Sequence, residues 1–106
     1  MIQNISTNTN GASKNISVNS GSASLQQNSP NPFSQNTIIK CFIPSSAKQA
    51  QLIVYNIDGH QLKSYTLSNG NNSVIINASI FSSGQYSYSL LIDGNKVDSK
   101  SMLLTK

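Results

Sequence analysis

The chain has 106 residues, which suits one ordinary domain with a single two-layer core. Charged residues make up only 9%, and a net charge of +4 comes from scattered Lys with no Glu, Arg or Trp, which argues against nucleic-acid binding. No apolar stretch approaches the roughly 20 residues of a membrane helix, so membrane insertion is not expected either.

The chain divides into two regions of different composition. Residues 1–24 are polar stretches with isolated apolar residues, which predicts a flexible linker or the tail of an upstream cargo region. A single short strand over residues 15–18 is an open alternative. The pattern changes at Leu25, and residues 25–106 are predicted to form the folded domain.

Strand patterns follow in quick succession after the prolines at positions 30 and 32. Runs of β-branched and alternating apolar residues predict strands over residues 37–43, 50–56, 61–67, 73–77, 85–92 and 96–104. Asp-Gly at positions 58–59 and 93–94 predicts hairpins, and residues 78–82 are long enough for one short helical turn. Because several strands carry one apolar face, we predict an all-β fold, an antiparallel Ig-like β-sandwich of about seven short strands.

Residue types able to support catalysis are scarce. His60 is the one His and follows a predicted turn, so we expect it at an exposed loop tip. Three Asp are candidate partners, but no sequence context resembles that of a catalytic nucleophile. Asp58 and Asp93 are explained by the turns that contain them. Cys41 lies in an apolar strand pattern and is expected to be buried as a small hydrophobic side chain. With no metal-binding or phosphate-binding pattern, the sequence predicts a non-enzymatic domain with no cofactor.

Several motifs occur in an order that is typical of one family. Pro-Asn-Pro-Phe at positions 30–33 precedes a Thr-x-Ile strand, Gly-Gln-Tyr occupies positions 84–86, and an apolar strand with flanking Lys follows. Over residues 25–106 this series resembles the type A C-terminal sorting domain of the type IX (Por) secretion system of Bacteroidetes. One departure is Cys41, which stands where that family usually has Tyr.

The resemblance implies an Ig-like domain at the C-terminus of an exported cargo protein. Such a domain is read in the periplasm by the type IX translocon and removed by a sortase, while the cargo reaches the cell surface or the medium. The recognition residues that the resemblance carries over are Pro30, Asn31, Pro32, Phe33, Gly84, Tyr86, Lys100, Met102, Leu103, Leu104 and Lys106. The Pro-Asn-Pro-Phe motif and the Gly84–Tyr86 motif have an alternative explanation, which is that they serve only the fold.

Two other functions are compatible with a small β-sandwich. A carbohydrate-binding or adhesive module would require an exposed aromatic platform, for which Tyr55 and Tyr65 are candidates. A structural spacer would require no particular surface. A signal is expected to fail when residues 102–106 are deleted although the sandwich persists. An exposed edge strand would also offer backbone groups to a partner or permit weak dimerisation.

Overall fold

A computed structural model of the protein describes residues 22–106. These residues form seven strands in two antiparallel sheets, so the predicted all-β sandwich is confirmed. The strands are β1 Ser24–Leu25, β2 Asn36–Ile43, β3 Ala50–Tyr55, β4 Gln61–Leu67, β5 Gly70–Asn77, β6 Gly84–Ile92 and β7 Asn95–Leu104. A single 3-10 turn over Ala78–Ile80 fulfils the expectation of one short turn. The strand considered over residues 15–18 lies outside the described residues.

One sheet has three strands in the order β1-β2-β5, and the other has four in the order β4-β3-β6-β7. The chain changes sheet between β2 and β3, between β4 and β5, and between β5 and β6. Strands β3 and β4 form one hairpin, and β6 and β7 form another. Across residues 22–106 we find no helix with the length and apolar character needed to cross a membrane.

The two Asp-Gly turns are built differently. Asp93 and Gly94 have φ angles of 50° and 84°, and Ile92 pairs with Asn95, as expected for a tight two-residue hairpin. The other connection is a longer loop in which the Asn56 side chain accepts hydrogen bonds from the N–H groups of Asp58 and His60. The β3–β4 hairpin is therefore organised by Asn56 as well as by Asp-Gly, and His60 is exposed as expected.

The fifth strand begins earlier than its composition indicates. Residues 70–72 look like part of a turn, but the ladder between β2 and β5 runs without interruption from Asn36↔Asn77 to Ile43↔Gly70. The turn chemistry is confined to Ser68 and Asn69, with the Asn72 carboxamide bonded back to Ser68. Turn-forming residue types are therefore drawn into the strand by pairing with the apolar β2.

The core lies between the sheets and follows the alternation of each strand. Its largest fully buried side chains include Tyr88, Phe33, Leu52 and Leu90. The side chain of Cys41 on β2 belongs to this cluster, and burial raises the pKa of its thiol. The prediction that Cys41 packs as a small hydrophobic residue is confirmed.

Candidate functional site

The Pro-Asn-Pro-Phe motif lies directly against the end of β7. The Phe33 N–H donates to the Leu103 carbonyl at 3.0 Å, and the Thr105 N–H donates to the Phe33 carbonyl at 2.9 Å, forming a short parallel bridge. The Asn31 carboxamide oxygen accepts from the Leu103 N–H at 3.0 Å, across 72 positions of sequence. We call this contact between residues 31–33 and 103–105 the seam. It joins two of the motifs that the sequence presents separately.

The seam covers an edge of the four-stranded sheet. Strand β7 is the last strand in that sheet, so alternate backbone groups point away from β6. The Ser101 carbonyl accepts from the Gln27 side chain at 2.6 Å, and the groups of Leu103 and Thr105 are bonded in the seam. A partner strand that added to β7 here would first have to displace residues 27–33.

The motif presents both a buried and an exposed side. Phe33 is only 2% exposed and belongs to the core, whereas Pro30, Asn31 and Pro32 are exposed. The Pro30 carbonyl accepts from the Thr37 hydroxyl at 2.7 Å, which ties the loop to the start of β2. The buried aromatic and this bond together hold the exposed residues in a fixed position.

A buried polar cluster beside the motif was not anticipated from the sequence. The Tyr88 hydroxyl accepts from the Asn28 N–H at 2.7 Å and donates to the Gln26 carbonyl at 2.8 Å. The Asn28 carboxamide donates to Thr37 Oγ1 at 3.0 Å and to the Pro30 carbonyl at 3.1 Å. Asn28 and Tyr88 are almost fully buried, so these bonds fix residues 26–30 against β6. In a chain rich in Asn, no local signal distinguishes Asn28 from the others.

This cluster makes stability depend on pH in the alkaline range. Burial, with a smaller contribution from Asp98, raises the pKa of Tyr88 to about 12 despite the opposing Asn28 hydrogen bond. An unfolded chain ionises Tyr near pH 10. The stabilisation from neutral Tyr88 is therefore complete below about pH 10 and decreases by about 2–3 kcal/mol as pH rises to 12. Urea unfolding at several pH values checks this, and Tyr88→Phe should lose that part of the pH dependence. An equal decrease in Tyr88→Phe would contradict it.

Gly84 and Tyr86 lie at the start of β6, opposite the end of β7. Gly84 has φ 154° and pairs with Leu104, while Tyr86 pairs with Met102. An added Cβ at Gly84 would meet no atom within 4 Å, so the backbone angle explains the glycine there. The Tyr86 hydroxyl donates to the Ser82 carbonyl at 2.5 Å, and its ring lies 5.1 Å from that of Phe81. This motif therefore supports the strand on which half of the seam is built.

The side chains at the end of β7 alternate between core and solvent. Met102 and Leu104 are each 1% exposed, whereas Leu103 between them is 40% exposed. Lys106 is exposed, but its Nζ donates to the Ala78 carbonyl at 3.2 Å and its N–H donates to the Ser83 hydroxyl. Lys100 lies apart from the seam, with Nζ 3.9 Å from Asp98 Oδ2. Among the predicted site residues, only exposed ones such as Asn31, Leu103 and Lys106 are available to a partner.

The tyrosines do not share one exposed surface. Tyr86 and Tyr88 are buried. Tyr65 pairs with Leu52 on the core face, where Lys63 Nζ lies 5.9 Å from its ring centroid. Tyr55 follows the buried Val54 and points to the opposite face of the same sheet. Tyr55 and Tyr65 therefore cannot stack on one sugar together.

Acidic, His and Cys side chains are dispersed over the described part of the chain. Among residues 22–106, no three of them come together in a group that could hold a metal ion. The seam itself is composed of amide, hydroxyl and apolar groups. Its chemistry suits recognition by hydrogen bonding and apolar contact.

One comparison with known proteins identifies the family. The family described as "Secretion system C-terminal sorting domain", which belongs to type IX secretion, matches residues 29–104. The matched region begins just before the Pro-Asn-Pro-Phe motif and ends inside the seam. No curated protein and no solved structure gave a significant match. The chain belongs to the family of type IX secretion C-terminal sorting domains, and it is a sorting signal for export across the outer membrane.

Proposed function

We propose that the seam and the exposed side chains beside it are the surface that the type IX translocon recognises. The observation that carries this proposal is the direct bonding of Asn31 and Phe33 to the end of β7. Two motifs far apart in sequence thereby form one surface. That surface exists only when the sandwich is folded, so the translocon would read the folded domain. The family is non-catalytic, in keeping with a role in recognition.

The exposed groups of this surface define the kind of partner that would fit. Leu103 supplies an apolar contact, Asn31 supplies the free face of an amide, and Lys106 supplies a positive charge. No acidic residue occurs in the two halves of the seam. A complementary translocon surface would combine an apolar pocket with hydrogen-bonding groups and, near Lys106, a carboxylate.

The remaining steps of export extend the same proposal. Residues 1–24 would connect the sandwich to an upstream cargo protein, and the domain of residues 25–106 would be recognised in the periplasm. A sortase would then cut within the linker, and the cargo would reach the cell surface or the medium. Strand β1 begins at Ser24, so a cut before it would leave the described strands intact. Mass spectrometry of exported cargo would identify the bond that is cut.

Export of a reporter fused to residues 1–106 tests the recognition surface. We expect Leu103→Gln to lower export by at least about tenfold, because it removes the main apolar contact without opening the core. Val97→Gln is the matched control, because Val97 is also exposed on β7, at 49%, but lies away from the seam. Reporter activity in the medium and on the cell surface is measured in a type IX-competent bacterium.

Each result has a definite meaning. Loss of export in Leu103→Gln, with normal export of Val97→Gln and unchanged unfolding of both purified domains, supports the seam as the contact surface. Equal export of the two variants would show that the translocon contacts another part of the sandwich. A wild-type fusion that folds but stays in the periplasm would contradict the recognition proposal itself.

A further inference from the structure

Strand β5 forms an edge of the three-stranded sheet. On the neighbouring β2, Ile38 exchanges both backbone hydrogen bonds with Ser29, at 3.0 Å each, and so directs its backbone groups toward the β1 side. Its partner on β5, Ile75, therefore directs its own N–H and C=O away from β2. Because these directions alternate along a strand, the other odd-numbered residues of β5 also direct their N–H and C=O groups away from β2. No strand of residues 22–106 pairs with that side of β5.

This edge lacks the devices that protect the other long edges. The end of β7 is covered at the seam, and β4 carries Lys63 and pairs across a β-bulge. By contrast, β5 reads Gly-Asn-Asn-Ser-Val-Ile-Ile-Asn, with no charge and no proline, and its ladder with β2 has no bulge. Ile75 is 63% exposed on this strand, and Ile38 beside it is 39% exposed. An uncharged edge with an exposed apolar pair is open to strand addition.

We propose that β5 pairs antiparallel with β5 of a second copy of this chain. A two-fold axis at Val74 places Ser73 opposite Ile75 of the second copy and Asn71 opposite its Asn77, with all outward backbone groups in register. The two Ile75 side chains become diagonal neighbours on the solvent face, within contact distance of each other. The three-stranded sheets of the two copies then form one continuous six-stranded sheet. This inference does not depend on the proposed function.

The charge distribution favours a second copy over a charged partner. The strand itself is neutral, so it offers no attraction to a strongly acidic or basic strand. Two positive side chains lie near the strand: Lys40 is opposite Ser73 on β2, and Lys106 reaches the Ala78 carbonyl just beyond the end of β5. Antiparallel pairing places the two Lys106 residues at opposite ends of the shared edge. Two Lys40 residues in the dimer are separated by three strand spacings, at least about 14 Å. That separation exceeds the Debye length of about 8 Å at physiological salt, so repulsion between them is largely screened.

The expected association is weak. One pair of eight-residue strands buries less surface than the roughly 1,200–2,000 Å² of a stable interface. We therefore expect a dissociation constant on the order of 0.1–1 mM. Sedimentation velocity of the full 106-residue chain over a concentration series measures it.

One substitution and its matched control locate the interface. Ile75→Lys places two like charges side by side on the shared edge and should weaken association by at least about tenfold. Ile57→Lys makes the same change at a residue that is 74% exposed outside the strands and should leave association unchanged. A chain that stays monomeric throughout, or a dimer that tolerates Ile75→Lys as well as Ile57→Lys, overturns the proposal.

Amide hydrogen exchange gives an independent measurement that does not rely on a variant. The amides of Ser73 and Ile75 should become protected as concentration rises, whereas those of Val74 and Ile76, which face β2, should not change. Protection of all four amides at every concentration would show that another part of the same chain covers the edge, and it would exclude the dimer.

Discussion

Deletion of residues 102–106 is expected to unfold the sandwich. The truncation removes Met102 and Leu104, which are each 1% exposed, and it also removes the backbone partners of Phe33. The loss of one such buried side chain typically costs roughly 2–5 kcal/mol. Two of them, together with the seam, approach the 5–15 kcal/mol by which typical domains are stable. Circular dichroism and the dispersion of amide resonances of residues 1–101 measure the result.

This expectation differs from the hypothesis that the sandwich persists without its final residues. The difference matters because an unfolded domain would abolish export whether or not residues 102–106 contact the translocon. The variant Lys106→Ala is the matched control for the truncation, since the Lys106 side chain is exposed, and it should unfold at nearly the wild-type urea concentration. A truncated chain that unfolds cooperatively at the wild-type midpoint would show that these core positions are dispensable.

Phe33→Ala is expected to lower the free energy of unfolding by about 3–5 kcal/mol. Phe33 is 2% exposed in the core, and its backbone also forms both hydrogen bonds of the parallel bridge with β7. The cavity left by the ring would therefore loosen the seam as well as the core. Urea unfolding followed by fluorescence of the tyrosines or by circular dichroism measures the change.

Asn31→Ala separates the contribution of the Asn31 hydrogen bond to stability from that of the buried Phe33 ring. It removes only the side-chain bond to the Leu103 N–H, so we expect a loss of about 0.5–1.5 kcal/mol. If Phe33→Ala cost no more than Asn31→Ala, the ring could not be a core element. If both variants were as stable as the wild type, the seam would contribute nothing to folding.

Most of the fold was accessible from residue pattern. Strand β2 alternates between buried and exposed side chains along its length, which is the period that predicts a half-buried strand. Asp93-Gly94 supplies the backbone angles of a tight hairpin, and the turn is where it was expected. The beginning of β5 was misjudged because Gly70, Asn71 and Asn72 have turn-forming character that only the partner strand overrides.

The candidate site was accessible only in part. The order of the motifs identified the family, and the alternation of Met102, Leu103 and Leu104 is consistent with the observed change from core to solvent. The seam is a parallel contact between residues 72 positions apart, and no local pattern signals such a contact. The hydrogen bonds of Asn28 depend on where Tyr88 lies in three dimensions, so sequence alone could not separate Asn28 from other Asn residues.

The seam also bears on when during synthesis the domain can become complete. A chain emerging from the ribosome exposes residues 31–33 long before their partners at 103–105 exist, and the edge strand β7 follows the six other strands of residues 22–106. Contacts of such wide sequence separation form late and slowly. A chain that has not yet been synthesised through β7 therefore has Phe33 without its bridge and a four-stranded sheet without its final strand. The sandwich therefore cannot close its seam until residue 105 has been synthesised, however early residues 31–33 become available.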